Sequence, residues 1–128
     1  MKRTLLLALI VCSSLTLFTG CAALLVGAAA GAGGVAYAQG ELKNTESVAL
    51  STAHRAAERA AKDLKFAVLK SQLDGLNGVI EARTVADQKV TIKTKQVAAK
   101  ATEVRIRVGL LGDETASRQI LSRMQANY

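Results

Sequence analysis

The chain has 128 residues, of which 50% are hydrophobic and only 3% aromatic, and it contains neither Trp nor Pro. Seventeen Lys and Arg outnumber ten Asp and Glu, which gives a net charge of +7. Two cysteines are too few for a disulfide-stabilised scaffold, and the length excludes a large multidomain enzyme. Because the apolar fraction can support a core, the composition also argues against a fully disordered chain.

The first 20 residues have the organisation of a secretory signal peptide. Lys2 and Arg3 provide a positive start, and residues 4–17 form an uncharged run dominated by Leu, Ile and Val. Small residues follow, immediately before Cys21. The apolar run is shorter than the ~20 residues that span a bilayer unaided. We therefore expect a cleaved leader rather than a membrane-spanning helix.

The sequence Leu-Phe-Thr-Gly-Cys at residues 17–21 resembles the lipobox of bacterial lipoproteins. The resemblance implies cleavage between Gly20 and Cys21, a diacylglycerol on the Cys21 sulfur and an acylated amino terminus. Phe18 departs from the motif, which usually has a small aliphatic residue there. The alternative is an ordinary cleaved signal in which Cys21 is an incidental buried cysteine.

The lipoprotein interpretation accounts for both cysteines. Cys12 would leave with the signal and Cys21 would carry lipid, so the mature chain would have no thiol for a disulfide, a metal or a nucleophile. Its net charge would be +5, since Lys2 and Arg3 leave. Ala22 stands where Asp would retain a lipoprotein at the inner membrane. By resemblance to Gram-negative sorting, this implies the outer membrane, facing the periplasm.

A second uncharged stretch, residues 22–40, holds five of the ten glycines. Gly27 and Gly31 have the spacing that lets helices approach closely within a membrane. The alternative is a flexible tether between lipid and domain, because Gly clusters are poor helix formers in water. We therefore divide the chain into a signal peptide (1–20), a lipidated cysteine with a Gly/Ala-rich tether (21–40) and a small folded domain (41–128).

The folded domain is predicted to begin with a strand and a helix. Residues 35–42 alternate loosely and indicate a first strand, and residues 44–47 offer side chains that cap a helix. The helix is predicted over residues 48–64, with an apolar stripe at helical spacing. The stripe consists of Leu50, Ala53, Ala57, Ala60 and Leu64.

Period-two alternation then predicts strands at residues 79–83, 89–95 and 103–108, after a short apolar run at 66–69 and a turn at 76–78. The apolar side chains of these strands share one face: Ile80, Ala82, Val90, Ile92, Val104, Ile106 and Val108. The opposite face carries six cations, Arg83, Lys89, Lys93, Lys95, Arg105 and Arg107, with Glu81 and Glu103 among them. One covered and one solvated face are typical of an antiparallel sheet.

Residues 109–112 are predicted to form a loop, and Asp113 and Glu114 suit the positive end of a last helix dipole. The apolar side of that helix is Ala116, Ile120, Leu121 and Met124. Both helices can bury their stripes only on the apolar sheet face. We therefore predict an α+β two-layer sandwich, an antiparallel sheet of 4–5 strands with two helices on one face, in the order β-α-β-β-β-β-α.

Several segments together resemble a family of small bacterial lipoproteins that is catalogued only as a domain of unknown function. They are the cysteine region at 21–27 and residues 37–42, 78–83, 90–93 and 104–109, with Gly-Asp-Glu at 112–114 and residues 117–121. The resemblance covers nearly all of the mature chain. It implies an envelope location and a lipid anchor, and it carries over no catalytic residue.

The sequence lacks the motifs of zinc proteases, serine hydrolases, phosphate-binding loops and CxxC sites. His54 is the single histidine, with no partner at ligand spacing, and we interpret it as structural or solvated. We accordingly expect no enzyme activity, no metal, no cofactor and no small-molecule substrate.

The six cations allow two interpretations. They could bind anionic lipid head groups or an acidic envelope protein, or they could be a solvated face that keeps the sheet from aggregating. Nucleic acid is not expected, because Phe66 is the one aromatic residue of the domain core and stacking needs more. The sequence thus predicts an outer-membrane-anchored, non-catalytic structural or interaction module. The alternative is a module that binds anionic lipid or an acidic partner through its basic sheet face.

Overall fold

The computed structural model describes residues 34–128, and the signal peptide, Gly20, Cys21 and most of the Gly/Ala segment lie outside the described residues. The elements are β1 (Ala36–Ala38), β2 (Glu41–Glu46), α1 (Leu50–Asp63), β3 (Ala67–Leu73), β4 (Asn77–Arg83), β5 (Lys89–Ala98), β6 (Ala101–Val108) and α2 (Glu114–Gln125).

All six strands form one antiparallel sheet in the order β1-β2-β6-β5-β4-β3. Helix α1 carries the chain from β2 across the sheet to β3 at the far edge, and β3 to β6 then return as successive hairpins. Both helices contact each other and the same side of the sheet. The predicted α+β fold with an antiparallel sheet and two helices is therefore confirmed.

The predicted strand count and element order need correction. The stretch at 35–42 is not one strand but the hairpin β1–β2, which pairs Tyr37 with Leu42. Gln39 and Gly40 form its turn with positive φ angles of 53° and 77°. Glycine adopts such angles without steric cost, so Gly40 permits the reversal. The sheet thus has six strands, in the order β-β-α-β-β-β-β-α.

Two local predictions are wrong for related reasons. Residues 44–46 do not cap α1, because they continue β2; the cap position is Ala49, whose side chain makes no hydrogen bond. The turn predicted at 76–78 ends two residues earlier, since Asn77 and Gly78 already belong to β4. A β-carbon at Gly78 would collide with the side chains of Thr94 and His54, so this glycine serves close packing rather than a turn.

The core lies between the helices and one sheet face, and it contains all seven apolar strand residues that the alternation assigns to that face. Five alanines of α1 are completely buried: Ala53, Ala56, Ala57, Ala60 and Ala61. Because alanine is small, this face lets the helix backbone approach the sheet closely. Ile120, Leu121 and Met124 of α2 complete the core, and Leu64 and Ala116 are partly buried at its margin.

Helix α2 begins as the sequence predicts. Asp113 occupies its N-cap, and the Asp113 carboxylate accepts a hydrogen bond from the Ala116 amide at 2.9 Å. Such a cap contributes about 1 kcal/mol and fixes where the loop before the helix ends.

That loop, residues 109–112, is held against the β1–β2 turn. Gly109 and Gly112 have φ angles of 73° and 86°, and a β-carbon at Gly112 would overlap the backbone of Gly40. A guanidinium nitrogen of Arg107 also donates to the Gln39 carbonyl oxygen at 2.7 Å. The loop backbone therefore packs directly on the β1–β2 turn, and Arg107 of β6 fixes that turn.

We expect Gly112→Ala to lower the free energy of unfolding by about 2 kcal/mol, because the new methyl group adds backbone strain and a collision with Gly40. Gly75→Ala is the matched control, since a β-carbon there meets nothing within 4 Å. Urea denaturation of both variants measures the difference. Equal stability of the two would contradict the close packing of the loop.

Candidate functional site

The sheet face turned away from both helices, here called the open face, is not covered by any residue between 34 and 128. Strand register places Lys43 opposite Arg105 and Arg105 opposite Lys93, so three cations lie side by side on β2, β6 and β5. Like charges directly opposite each other destabilise a sheet unless something compensates them. The open face is therefore an electrostatic feature that stability alone does not favour.

All six predicted cations lie on the open face and are exposed: Arg83, Lys89, Lys93, Lys95, Arg105 and Arg107. Four of them have partners. Arg83 binds Asp87 at 2.9 Å, Lys89 binds Glu81 at 3.4 Å and Arg105 binds Glu103 at 2.6 Å. The fourth, Arg107, donates to the Gln39 carbonyl.

Lys93 and Lys95 form no ion pair with any residue of the described part of the chain. Both project from β5, which lies inside the sheet rather than at an edge. Glu103 lies directly opposite Lys95 without an ion pair, and no acidic residue lies directly opposite Lys93, so a negatively charged ligand could approach both lysines without breaking an ion pair. They are the cations most available for an electrostatic contact.

Lys43 belongs to the same surface, and sequence reasoning missed it. The residues after it were interpreted as a helix cap, which hid the alternation of β2. Leu42 and Asn44 are buried while Lys43 and Thr45 are exposed, and this period of two is the signal that could have identified it.

Glu103 is the acidic centre of this surface, and only 13% of its side chain is exposed. It binds Lys43 at 3.1 Å and Arg105 at 2.6 Å. Partial burial by itself would raise the pKa of Glu103, but the hydrogen bonds from Lys43 and Arg105 outweigh it and hold the pKa below its ordinary value. The same contact raises the pKa of Arg105. Glu103 is thus the counter-charge that lets cations lie on adjacent strands.

At one end of the open face the surface dips into a shallow depression of about 410 Å³. Three cations line it, Lys89, Lys93 and Arg107, together with Glu41 and Glu81. Leu110 forms part of its rim. The depression thus combines positive charge with an apolar border, a combination that suits an anionic amphiphile better than a small polar substrate.

His54 lies on the other side of the sheet and is buried, with 5% of its surface exposed. Its Nε2 lies 2.9 Å from Ser71 Oγ, and the Ser71 hydroxyl donates to Glu58 at 2.5 Å. Because the serine proton is directed to Glu58, the imidazole N–H donates to Ser71 rather than accepting its proton. The cluster links α1 to the edge strand β3, which agrees with a structural role for His54. Ser71, 17 residues away, could not be identified as its partner from sequence spacing.

Within residues 34–128, no three His, Cys, Asp or Glu side chains come together in a way that could hold a metal ion. In the same part of the chain, none of the helices has both the length and the apolar character needed to cross a membrane.

We expect Glu103→Gln to lower the free energy of unfolding at pH 7 by about 1 kcal/mol, because two cations lose their shared carboxylate. Since folding lowers the pKa of Glu103, its stabilisation exists above the unfolded-state pKa and is lost as the pH falls through the folded-state value. Thermal melts of both proteins should therefore converge in acid. Glu81→Gln, which removes one longer ion pair, is the control. A difference that persists in acid would contradict the assigned role.

Comparison with known proteins gives one family. The sequence pattern of the family described as "Protein of unknown function (DUF3568)" matches residues 4–127. No curated protein matches the chain. The match confirms the resemblance to a family of unknown function over almost the whole length. The chain therefore belongs to the DUF3568 family.

Proposed function

We propose that this protein is an outer-membrane-anchored lipoprotein whose domain is a non-catalytic interaction module of the cell envelope. The anchor is the thiol of Cys21, which follows an uncharged apolar run and the small residues Thr19 and Gly20. Each buried CH₂ of an acyl chain contributes about 0.8 kcal/mol, so two or three chains hold a small domain at a membrane durably. Ala22 after the cysteine favours the outer membrane.

The observation that carries the interaction role is the open face. Its cations lie on adjacent strands, and two of them, Lys93 and Lys95, form no ion pair with any of residues 34–128, although Glu103 lies opposite Lys95. A protein that needed only a solvated sheet surface would gain from alternating charges across strands, because neighbouring cations repel. The arrangement suits an anionic surface or an acidic partner, which would relieve that repulsion on binding.

The chemistry of His54 supports a role without catalysis. The imidazole is the only one in the chain, and it is buried and donates to a serine that already donates to a carboxylate. A general base must accept the proton of its nucleophile, and this hydrogen-bond direction is the opposite. The domain is therefore proposed to act by binding.

The anchor is tested by labelling cells with radioactive palmitate. We expect the wild type and Cys12→Ser to be labelled and Cys21→Ser to be unlabelled, because only Cys21 stands at the proposed cleavage point. Cys12→Ser is the matched control, since it removes a thiol from the same segment of the chain. Labelling that survives Cys21→Ser would refute the lipoprotein proposal.

The open face is tested by replacing Lys89, Lys93 and Lys95 with Gln, which leaves the structural contacts of Arg105 and Arg107 intact. We expect the salt-dependent binding to vesicles of anionic lipid, or to an acidic protein partner captured in cells, to fall at least tenfold. The control replaces Arg55, Arg59 and Lys62, three exposed cations of α1, and so removes the same charge from the other side of the domain. Equal losses in both triple variants would indicate net charge alone, and no loss in either would remove the open face from the proposal.

A further inference from the structure

Three apolar side chains protrude at one end of the domain, here called the apolar tip. They are Leu110, Leu111 and Val85, with 92%, 88% and 84% of their surface exposed. Leu110 and Leu111 lie in the loop after β6, and Val85 lies in the β4–β5 turn. The two loops adjoin, because the Gly109 amide donates to the Lys89 carbonyl at 2.8 Å and Gln88 shares a surface depression with both leucines.

Leu110 and Leu111 are exposed although the loop that carries them has a fixed backbone. Gly112 and Gly40 are in backbone contact, and Arg107 fixes the adjoining turn through the Gln39 carbonyl. The cap of α2 at Asp113 fixes the same, C-terminal end of the loop, and the Gly109 amide, which donates to the Lys89 carbonyl oxygen, fixes its other end. A backbone fixed at both ends therefore holds two consecutive leucines outward. Because exposed apolar surface is unfavourable, such a display is typical of a binding element.

The surroundings of the tip indicate what it binds. Leu110 borders the depression that contains Lys89, Lys93 and Arg107, and these three cations outnumber the two acids there. Glu81, one of those acids, already pairs with Lys89. Exposed apolar side chains next to a group of cations match a bilayer surface, where anionic phosphates lie next to the acyl region.

A protein partner fits the tip less well. Protein interfaces obtain most of their energy from aromatic and Arg anchors seated in pockets, and the tip consists of aliphatic side chains that protrude. Protruding aliphatic side chains need a deformable medium that closes around them, which a lipid surface provides.

The proposed anchor also makes a bilayer the nearest surface. Fully extended, the 13 residues at 22–34 reach at most about 45 Å. This reach exceeds the length of the longest strand, β5, which spans about 33 Å. A domain on such a tether can turn its tip toward the same membrane. The membrane would then be present at high effective concentration, so even weak insertion would be populated.

We propose that the apolar tip inserts into the head-group region of the membrane, with Lys89 and Lys93 contacting the phosphates of anionic lipids. This inference rests on the proposed lipoprotein function for its source of membrane, but its site is separate from Cys21. Tip insertion would give the anchored domain a defined orientation, with one end on the lipid and the rest of the open face directed sideways.

The absence of Trp from the chain provides a direct test. Leu110→Trp places a single indole at the tip, and Val97→Trp places one in β5 at the opposite end of the sheet, where the native side chain is 52% exposed. Each purified full-length variant is mixed with vesicles of phosphatidylethanolamine and phosphatidylglycerol, made with or without brominated lipid. The fluorescence of the indole is then recorded. We expect a shift to shorter emission wavelength and strong quenching for Leu110→Trp, and neither for Val97→Trp.

The cation contribution is measured in the Leu110→Trp protein by adding Lys89→Gln and Lys93→Gln. Quenching should fall several-fold in vesicles with phosphatidylglycerol and remain unchanged by Arg55→Gln with Arg59→Gln on α1. Arg107 is left intact because it supports the loop.

The remaining outcomes would overturn the inference. An indole at position 110 that stays in water refutes insertion, and equal quenching at positions 110 and 97 refutes the defined orientation. An emission shift that grows with protein concentration in the absence of lipid indicates a second copy as the occupant, and it likewise contradicts membrane insertion.

An intact-mass measurement of the same sample separates this inference from the proposed function. Lipid on Cys21 with an unquenched indole would reject the tip and keep the anchor. A bare thiol at Cys21 with a quenched indole would reject the anchor and keep the tip.

Discussion

The structure depends on burying one face of the sheet and leaving the other without cover. Helix α1 presents alanines to the sheet, so its backbone lies close, and α2 fills the remaining width with Ile120, Leu121 and Met124. Both helices therefore pack on the same face of the sheet. Strand alternation then sends the charged side chains to the opposite side, where residues 34–128 provide no second layer. The open face is a direct consequence of how the core is built.

The cations of the open face repel one another, and the acidic residues of the sheet neutralise only part of this repulsion. Glu103 lies between Lys43 and Arg105 and neutralises the repulsion on β2 and β6, which is why folding lowers its pKa despite partial burial. Lys93 and Lys95 form no ion pair within the described residues, although Glu103 lies directly opposite Lys95 on β6. The neighbouring depression adds Arg107 and ends at Leu110. Charge and apolar surface therefore meet at one end of the domain, where an anionic amphiphile would satisfy both.

Much of the fold could be predicted from the sequence, and the failures have identifiable physical causes. Alternation with period two is a local property, so it identified the buried face and six of the cations of the open face. The β1–β2 hairpin was missed because its turn depends on positive φ angles at Gln39 and Gly40, and only the glycine signals one. Lys43 was missed with it. The partnership of His54 with Ser71 and the packing of Gly112 on Gly40 arise from residues distant in the chain, which no local pattern encodes.

We propose that the open face, rather than the outer surface of the helices, meets the partner or membrane of this protein in the cell. Photo-crosslinking in living cells tests it most directly, with the photoreactive residue placed once at Lys93 on the open face and once at Arg59 on the exposed side of α1. Mass spectrometry then identifies what each position has captured. We expect a defined lipid or protein adduct at position 93 and none at position 59. An adduct formed at position 59 but not at position 93 would contradict it.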